Sequence, residues 1–294
     1  MYPRLSDLFL DLFGVEFPIP IYSFGFLVAL AIIAGTWLGG RELDRMYRNG
    51  EIDGVEVDEG RGTAEASPGV LAGTIAIIAA VAGIAGAKLF TILGNPGQFL
   101  LHPAAVLFST GGLTFYGGFI VAFGAIAWYV HRHGLSKPHV ADAAAPGLML
   151  AYGIGRLGCH LAGDGDWGIA ADLAAKPEWL PMWLWAETYP HAIIGPPPHP
   201  VYPTSVYEAL AATLLFGVLW ALRRHPFQAG WLFSLYLVLN GVERFLIEKI
   251  RINPEYHVLG LTPTQAELIS VLLVVAGGVG LVYTWERTAG GREK

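Results

Sequence analysis

The sequence predicts an all-α polytopic membrane protein, a bundle of about seven transmembrane helices with an extracytoplasmic cap segment. Of the 294 residues, 54% are hydrophobic and only 14% are charged, against roughly 25% charged residues in a soluble domain. The mean hydropathy of +0.49 agrees with this. Several apolar runs also approach about 20 residues, the length that crosses the hydrocarbon core of a bilayer.

Each predicted span is an apolar run in which Gly and Ala recur. Small residues let membrane helices approach closely, so we expect a tight bundle. One such bundle takes up the whole chain as a single domain, residues 1–294. The predicted spans are residues 21–40, 70–94, 111–130, 141–162, 205–222, 230–250 and 266–285.

Lys and Arg residues predict the orientation, because short cytoplasmic loops carry an excess of them. Eleven follow the first, third, fifth and seventh spans, whereas the opposite side carries Arg4 and Lys176. The N-terminus is therefore expected outside and the C-terminus in the cytoplasm. The eleven are Arg41, Arg45, Arg48, Arg61, Arg132, Lys137, Arg223, Arg224, Arg287, Arg292 and Lys294.

Two long connections have distinct compositions. Residues 41–69 form an acidic cytoplasmic loop whose part EIDGVEVDEGRGTAEA, 51–66, lacks periodicity and is expected to be solvated and mobile. Residues 163–204 lie outside and contain WLPMWLWAETYP, which predicts an aromatic, irregular cap segment near the headgroups. The acidic balance gives no indication of nucleic-acid binding.

The end of the sixth span, ERFLIEKIR at 243–251, is unusually charged. A charge at mid-bilayer costs at least about 2.5–3.5 kcal/mol, so such residues face the bundle interior or a wet cavity. Arg244, Glu248 and Arg251 fall at i, i+4 and i+7 and share one helical face, where Glu248 can pair with both arginines. This face either fixes helix packing through ion pairs or contributes to a binding site.

The fourth span ends in GIGRLGCHLAGDGDWG, 153–168, which combines Arg156 with six glycines and also contains Asp164. Glycines let the backbone approach a ligand, and a guanidinium matches phosphate with two parallel hydrogen bonds. The segment therefore favours an anionic lipid headgroup as ligand.

Two further polar segments lie at the predicted outer face. GGLTFYGG, 111–118, frames Tyr116 with glycines, and YPTSVYEAL, 202–210, opens the fifth span with Tyr207 and Glu208. Glu208 also stands in the capping-box position relative to Ser205, which is a purely structural alternative. Together with the arginines, these segments predict a cationic, water-accessible pocket at headgroup depth for an anionic lipid.

The motifs and their order resemble the prolipoprotein diacylglyceryl transferases of bacteria. GGLTFYGG is similar to the family's GG-x-x-F-H-GG, and GRLGCHLAGDGDWG is similar to its G-R-x-G-N-F-x-x-G-E-x-x-G signature. HPVYPTSVYEAL resembles its H-P-[ST]-x-x-Y-E segment, and NGVERFLIEKIR resembles its R-[FI]-x-x-E-x-x-R helix. LTPTQAELIS resembles its Q-x-L-S segment, so the likeness covers nearly the whole chain.

The resemblance implies a multi-pass enzyme of the bacterial inner membrane that performs the first step of lipoprotein maturation. Its partners are membrane lipids and two substrates: phosphatidylglycerol, which donates the diacylglyceryl group, and the lipobox cysteine of a preprolipoprotein signal peptide. The implied catalytic residues are Arg156, Arg244, Tyr116, Asp164 and Glu248. The implied substrate-binding residues are Arg156, Arg244, Arg251, Gly117, Gly118, Gly163, Gly168, Tyr207 and Glu208.

Within this resemblance, Arg156 and Arg244 hold the departing phosphate and Glu248 orients Arg244. Asp164 orders its loop or binds a glycerol hydroxyl.

The chain departs from the family pattern at three positions. Phe24 replaces a Tyr, Cys159 replaces an Asn, and Tyr116 replaces the His that is a proposed general base. The base is therefore open among Tyr116, Asp164, Glu248 and no dedicated base at all. Cys159 is expected to be a small packing residue.

No cofactor and no metal are expected, because the histidines show no convincing metal-ligand spacing. Two alternatives stay open. One is a divergent paralogue that uses another lipid or another acceptor. The other is an anion or lipid transporter, which also needs intramembrane arginines, although the chain shows no internal repeat.

Overall fold

The computed structural model describes residues 2–15, 21–58, 63–109, 114–254, 256–257 and 262–291. The protein is mostly helical, with 68% of residues in helices and few strands. The elements are α1 (Leu5–Phe13), α2 (Ser23–Arg48), β1 (Val55–Asp58), β2 (Thr63–Ala66), a 3₁₀ turn (Pro68–Leu71), α3 (Ala72–Gly94), α4 (Pro96–Leu101), α5 (Pro103–Phe108), α6 (Phe115–Arg132), α7 (Lys137–Ala162), α8 (Met182–Trp185), α9 (Thr204–Leu222), α10 (Trp231–Glu248) and α11 (Gln265–Gly291).

Among the described residues, four helices are long and apolar enough to cross a membrane, and only 11–33% of each apolar stretch is buried. Their apolar side chains therefore point outward, as Leu214 at 73% exposure and Leu272 at 67% illustrate. A helix that is apolar all round suits hydrocarbon, so the predicted helical membrane fold is confirmed at this level. The four are Ser23–Arg48, Pro68–Gly94, Thr204–Leu222 and Gln265–Thr288.

Each predicted span overlaps one long helix, but some helices continue beyond the apolar run. Helix α2 extends to Arg48 and α7 begins at Lys137, outside the predicted 21–40 and 141–162. Hydropathy marks where apolar side chains lie, whereas backbone hydrogen bonding continues into polar turns. In α2 the extension is supported by an ion pair between Glu42 and Arg45, 2.6 Å apart.

The prediction of a solvated, mobile loop at 51–66 is wrong at Val55–Asp58 and Thr63–Ala66, which form two strands. After α2 ends, Val55–Asp58 pairs antiparallel with Thr63–Ala66, Val55 lying opposite Ala66. Val55 is buried against Val130 and Leu135, so one face of this hairpin has an apolar anchor. Residues 59–62, which include Arg61, lie outside the described residues.

The chain divides into two compact units. The first, Met1–Gly35 with Ala144–Lys294, has a core in which Met149 of α7 meets Ala212 and Leu219 of α9 and Leu232 of α10. Helix α11 packs along α10 in the same unit. Pairs of long helices with short polar segments at their ends thus position the charged residues described below.

The second unit, Thr36–Ala143, contains the β-hairpin and the packed pair α3 and α6. Its two apolar clusters centre on Leu43 with Met46 and on Val55 with Val130.

Residues 163–204 belong to the first unit and contain one short helix, α8, together with isolated bridges. Glu187 and Val201 exchange two backbone hydrogen bonds of 3.0 Å. The Trp185 indole Nε1 donates to the carbonyl of Asp172 at 2.8 Å. The segment is therefore irregular and rich in ordered aromatic contacts.

Candidate active site

The carboxylate of Glu208 is the centre of a charged cluster in the first unit. It is fully buried. Its oxygens accept hydrogen bonds from Arg244 at 2.9 Å, from Arg251 at 3.1 Å and from the Tyr152 hydroxyl at 2.9 Å. Arg156 Nε lies 3.3 Å from Oε2. A buried charge is retained only when it is paired and hydrogen-bonded, and Glu208 meets this condition on both oxygens.

Glu208 reaches this position because α9 begins at Thr204 and carries Glu208 in its second turn. The capping-box interpretation is wrong, since the N-cap is Pro203 and no side chain caps this helix end. Instead, the Thr204 hydroxyl donates to the carbonyl of Asp166 at 3.1 Å. This bond ties the start of α9 to the glycine-rich segment after α7.

Arg156 projects from the last turns of α7. It forms an ion pair with Asp166 in addition to its contact with Glu208. Its guanidinium carbon lies 5.1 Å from the ring centroid of Tyr152, one helical turn earlier. The aromatic ring and two carboxylates thus hold the guanidinium in one orientation.

The structure corrects the predicted position of Arg251. Helix α10 ends at Glu248, so Arg251 is not on the helical face that its spacing indicates. It lies instead in a short extended stretch bridged to Gly168. From there it pairs with Asp166 and Glu208, so it joins the cluster by a different route.

Gly168 makes this route possible. A Cβ atom at this position would lie 2.6 Å from the carbonyl oxygen of Ile250 and 2.8 Å from a Thr204 methyl group. The Gly168 N–H donates to Tyr202 at 2.9 Å, and the next N–H donates to Ile250 at 2.9 Å. Three chain segments therefore meet where only glycine fits, and Arg251 is held beside Asp166.

The segment between α7 and Gly168 is shaped by Gly163 and Asp164. Gly163 adopts a left-handed φ of 63° and donates to the carbonyl of Cys159 at 2.9 Å, which closes α7. The exposed Asp164 accepts the N–H of Asp166 at 3.2 Å. This contact fits the predicted role of Asp164 in ordering the loop, whereas its role towards a substrate stays a prediction.

Asp166 is the residue of this segment that binds the arginines. Burial by itself would raise the pKa of its carboxyl group, but the charges of Arg251 and Arg156 outweigh burial and hold the pKa below its usual range. Asp166 is therefore an ionised partner of two guanidinium groups, and its side chain is 33% exposed.

Glu248 pairs with Arg244 one turn earlier on α10, with 3.0 Å between Arg244 and Oε2. Its other oxygen accepts the amide of Asn253 at 2.7 Å. The predicted pairing with Arg244 is confirmed. No ion pair joins Glu248 to Arg251 among the described residues, because Arg251 turns to Asp166 and Glu208 instead.

Tyr207 stands between two apolar cavities of the same unit, and its hydroxyl donates to the carbonyl of Leu184 at 2.7 Å. The larger cavity has about 390 Å³ and the smaller cavity about 240 Å³. The smaller cavity is lined by Tyr207, Ala211, Glu243, Leu246 and Ile247. The larger cavity is lined by Tyr207 together with Leu180, Leu184, Trp185, Tyr202, Leu210 and Ile250.

Tyr116, Gly117 and Gly118 belong to the other unit, at the start of α6. The two glycines allow α6 to approach α3, since added Cβ atoms would lie 2.7 Å from the Gly86 carbonyl and 2.8 Å from the Gly83 carbonyl. Their roles towards a substrate stay predictions, as does that of Tyr116. Residues 111–113 of the same motif lie outside the described residues.

The ligand atoms of Cys159, Asp164 and Asp166 lie within 4.8 Å of one another. A divalent cation there would compete with the two guanidinium groups that already neutralise Asp166. The donor set therefore fits a structural ion-pair cluster better than a metal centre.

Sequence reasoning missed three members of the cluster: Tyr152, Asp166 and Glu243. The signal for Tyr152 was its spacing of four residues before Arg156, which places both on one face of α7. Asp166 follows Asp164 in the same motif, and Glu243 opens the charged stretch 243–251.

Comparison with known proteins identifies the same family that the sequence motifs resemble. The family model described as prolipoprotein diacylglyceryl transferase matches residues 11–283. The chain is 31% identical over 284 residues to phosphatidylglycerol–prolipoprotein diacylglyceryl transferase 2 of Streptomyces coelicolor, covering 93% of this chain and 78% of that protein. It is 27% identical over 275 residues to the phosphatidylglycerol–prolipoprotein diacylglyceryl transferase of Clostridium tetani, covering 93% and 95%. With a match of this extent, the chain belongs to the prolipoprotein diacylglyceryl transferase family.

Proposed function

We propose that this protein transfers the diacylglyceryl group of phosphatidylglycerol to the thiol of the lipobox cysteine of a preprolipoprotein. The relatives described above carry names that state both phosphatidylglycerol and a prolipoprotein as substrates. A thioether forms and glycerol phosphate leaves, so the site has to stabilise negative charge on the departing phosphate.

The observation that carries this proposal is the convergence of Arg156, Arg244 and Arg251 on Glu208. Guanidinium groups suit phosphate because each presents two parallel N–H donors. Glu208 and Glu248 fix their positions in advance, so little reorganisation is needed during the reaction. A contact of this kind supplies about 2–4 kcal/mol when it strengthens in the transition state.

The phosphodiester approaches on the side of Asp166. Glu208 is fully buried, whereas the Asp166 side chain is 33% exposed and lies at the edge of the cluster. Arg251 Nε is buried and has no hydrogen-bond partner among the described residues. A substrate phosphate that takes the place of Asp166 therefore meets Arg156 and Arg251 first, with Arg244 beside them on the shared Glu208 carboxylate.

The apolar part of the substrate suits the larger cavity beside Tyr207. Its lining is almost entirely apolar, and it lies in the same unit as the charged cluster. Burial of acyl methylene groups contributes roughly 0.8 kcal/mol each. We therefore expect Tyr207 to contribute to substrate binding.

The long helices and the charge distribution support the membrane arrangement that we propose. The seven helices α2, α3, α6, α7, α9, α10 and α11 cross the bacterial inner membrane, with the N-terminus outside and the C-terminus in the cytoplasm. Residues 163–204 form the extracytoplasmic cap segment, 41–69 lie in the cytoplasm, and 1–294 act as one transferase domain.

The test is incubation of the purified protein with phosphatidylglycerol vesicles and a lipobox peptide, followed by mass spectrometry. The expected product is the peptide carrying one diacylglyceryl group on its cysteine. Parallel vesicles with other anionic lipids identify a divergent paralogue, which would give an adduct only with one of those lipids. Transport of lipid across the vesicle without any peptide adduct would overturn the enzyme in favour of a transporter.

A further inference from the structure

The carboxyl group of Glu243 on α10 is buried, with 8% of the residue exposed, yet it is incompletely bonded. Its Oε2 accepts from the Tyr152 hydroxyl at 3.4 Å. Its Oε1 has no hydrogen-bond partner among the described residues. An unsatisfied buried polar group costs about 1–3 kcal/mol, and such exceptions in a folded protein call for an explanation.

Glu243 is also the carboxyl group left over when the charges of the cluster are paired. The three arginines have carboxylate partners in Asp166, Glu208 and Glu248. In the part of the chain that the structure describes, Glu243 forms no ion pair. No guanidinium group among the described residues donates a hydrogen bond to its oxygens, so Oε1 is available to accept a proton.

The unbonded carboxyl group forms part of the wall of the smaller cavity. Glu243, Leu246 and Ile247 fall at i, i+3 and i+4, so they share the face of α10 that lines this space. The cavity of about 240 Å³ is smaller than the roughly 300–1,000 Å³ of drug-sized ligand sites. An apolar wall with one carboxylate matches a weakly polar side chain such as a cysteine of a peptide.

We propose that Glu243 is the general base that takes the proton from the acceptor thiol in the smaller cavity, an inference that rests on the transferase function above. A free thiol has a pKa of about 8.5 and is mostly protonated at neutral pH, whereas the thiolate is the nucleophile. A carboxylate within hydrogen-bond reach of the S–H group supplies the missing deprotonation.

The atoms balance without a further reactant. The S–H proton moves to Glu243 Oε1, and the sulfur electron pair forms the S–C bond at the glyceryl carbon. The C–O bond breaks with its electron pair remaining on the phosphate oxygen, beside the arginines. Glycerol phosphate then carries the proton away, which restores the carboxylate.

The other titratable groups facing Glu243 have different tasks. Tyr152 and Arg156 approach from α7, with Tyr152 bridging Glu243 and Glu208. Glu208 approaches from α9 and is bonded to the arginines, and Arg244 lies next to Glu243 on α10. Tyr207 lines the same cavity, but its hydroxyl donates a hydrogen bond to the carbonyl of Leu184. Glu243 is therefore the group of this set with an acceptor oxygen available.

The decisive variant is Glu243→Gln, which keeps the size of the side chain and its contact with Tyr152 but removes the base. The single-turnover rate with a cysteine peptide at neutral pH should fall roughly 10²–10⁴-fold, the range for loss of a general base. The rate should then rise with pH towards the thiol pKa. The KM for phosphatidylglycerol should stay near the wild-type value.

A selenocysteine peptide separates base catalysis from a structural effect, because a selenol is already ionised at neutral pH. Glu243→Gln should lose far less activity with this peptide than with the cysteine peptide. The matched control is Glu178→Gln, which makes the same charge change at an exposed site and should behave like the wild type with both peptides.

The outcomes are distinct. Two results would overturn the role of Glu243 while leaving the transferase function in place, provided that the wild-type protein is active. In the first, Glu243→Gln transfers at the wild-type rate; in the second, it loses the same fraction of activity with the cysteine peptide as with the selenocysteine peptide. Absence of adduct from the wild-type protein would count against the transferase function itself. A Glu243→Gln protein that elutes as an aggregate is replaced by Glu243→Asp, which keeps the charge but withdraws the carboxylate by one methylene group and should reduce the rate with cysteine more than with selenocysteine.

Discussion

At the scale of single residues, the cluster is organised around one buried carboxylate rather than around its cations. Glu208 contacts Arg156, Arg244 and Arg251, and each arginine has at least one further carboxylate partner. Removing one partner of a buried pair leaves an uncompensated charge, which costs about 3–5 kcal/mol. Substitutions in this cluster therefore require a folding control before any loss of activity is interpreted.

Replacing either Arg156 or Arg244 with Ala should reduce transfer by about 10²–10³-fold, because each change removes donors to the departing phosphate. The measurement is the rate of diacylglyceryl adduct formation by protein that still elutes as a single species. Arg224→Ala is the matched control, since Arg224 is exposed at the other end of α9, and it should keep full activity. Full activity of either cluster variant would contradict the phosphate role.

Asp166 should give the protein an acid-sensitive contribution to stability. Its pKa in the folded protein is lowered, chiefly because Arg251 and Arg156 outweigh the effect of burial. The ion pairs thus stabilise the fold above the ordinary Asp pKa of about 3.9. This contribution is lost as the pH falls through the lowered value.

The measurement is the difference in unfolding temperature between wild type and Asp166→Asn, followed in detergent as a function of pH. The difference should be largest near neutral pH and should shrink steadily below about pH 4. A difference that does not change with pH would show that the contact acts through packing and not through charge.

At the scale of elements, the sequence predicts helices well and their ends poorly. The spacing of Arg244, Glu248 and Arg251 indicates one continuous helix, but α10 stops at Glu248 and the chain turns towards Gly168. Arg251 still reaches the cluster, because tertiary hydrogen bonds with the glycine-rich segment replace the helical ones. Side-chain periodicity contains no information about such a junction between distant segments.

The hairpin at Val55–Asp58 illustrates the same limit in another way. Its sequence is acidic and glycine-rich, which is typical of a solvated loop. Short alternation within VEVD was the available signal, because alternate residues of a strand face the same side. Val55 is buried by residues more than seventy positions away, Val130 and Leu135, and a local pattern does not reveal that contact.

Gly168→Ala tests the junction that holds Arg251. The added methyl group would lie 2.6 Å from the Ile250 carbonyl, so the segments have to move apart and Arg251 loses its position beside Asp166. Strain of this kind typically destabilises by about 1–3 kcal/mol, and transfer should fall with it. Gly217→Ala in α9 is the control, because nothing lies within 4 Å of its added Cβ. Equal behaviour of the two variants would contradict the junction.

At the scale of the whole molecule, the charged cluster lies inside the first unit while apolar side chains cover the outside of the long helices. The family and the helical membrane fold could be predicted from motif order and hydropathy, because both depend only on the linear sequence and not on tertiary contacts. The partners within the cluster could not, since Glu208 is contacted by Arg244 and Arg251, 36 and 43 positions away, and Asp166 by Arg251, 85 positions away. Contacts of that kind depend on the tertiary packing of several helices.

The orientation gives a prediction at this scale. In a Cys159→Ala background, which should stay active, single cysteines are introduced as Glu178→Cys and Arg224→Cys. A membrane-impermeant maleimide added to intact cells should label position 178, which is predicted outside. Position 224 should be labelled only after the membrane is permeabilised. The reverse pattern would overturn the proposed topology.

Tyr207 contacts both of the cavities that we propose for the two substrates. Its side chain lines both the larger and the smaller cavity, while its hydroxyl donates to the Leu184 carbonyl. Movement of this ring away from an occupant of one cavity would therefore change the space in the other. The lipid in the larger cavity and the peptide in the smaller cavity would therefore influence each other's binding. By thermodynamic reciprocity, each would change the affinity for the other by the same factor.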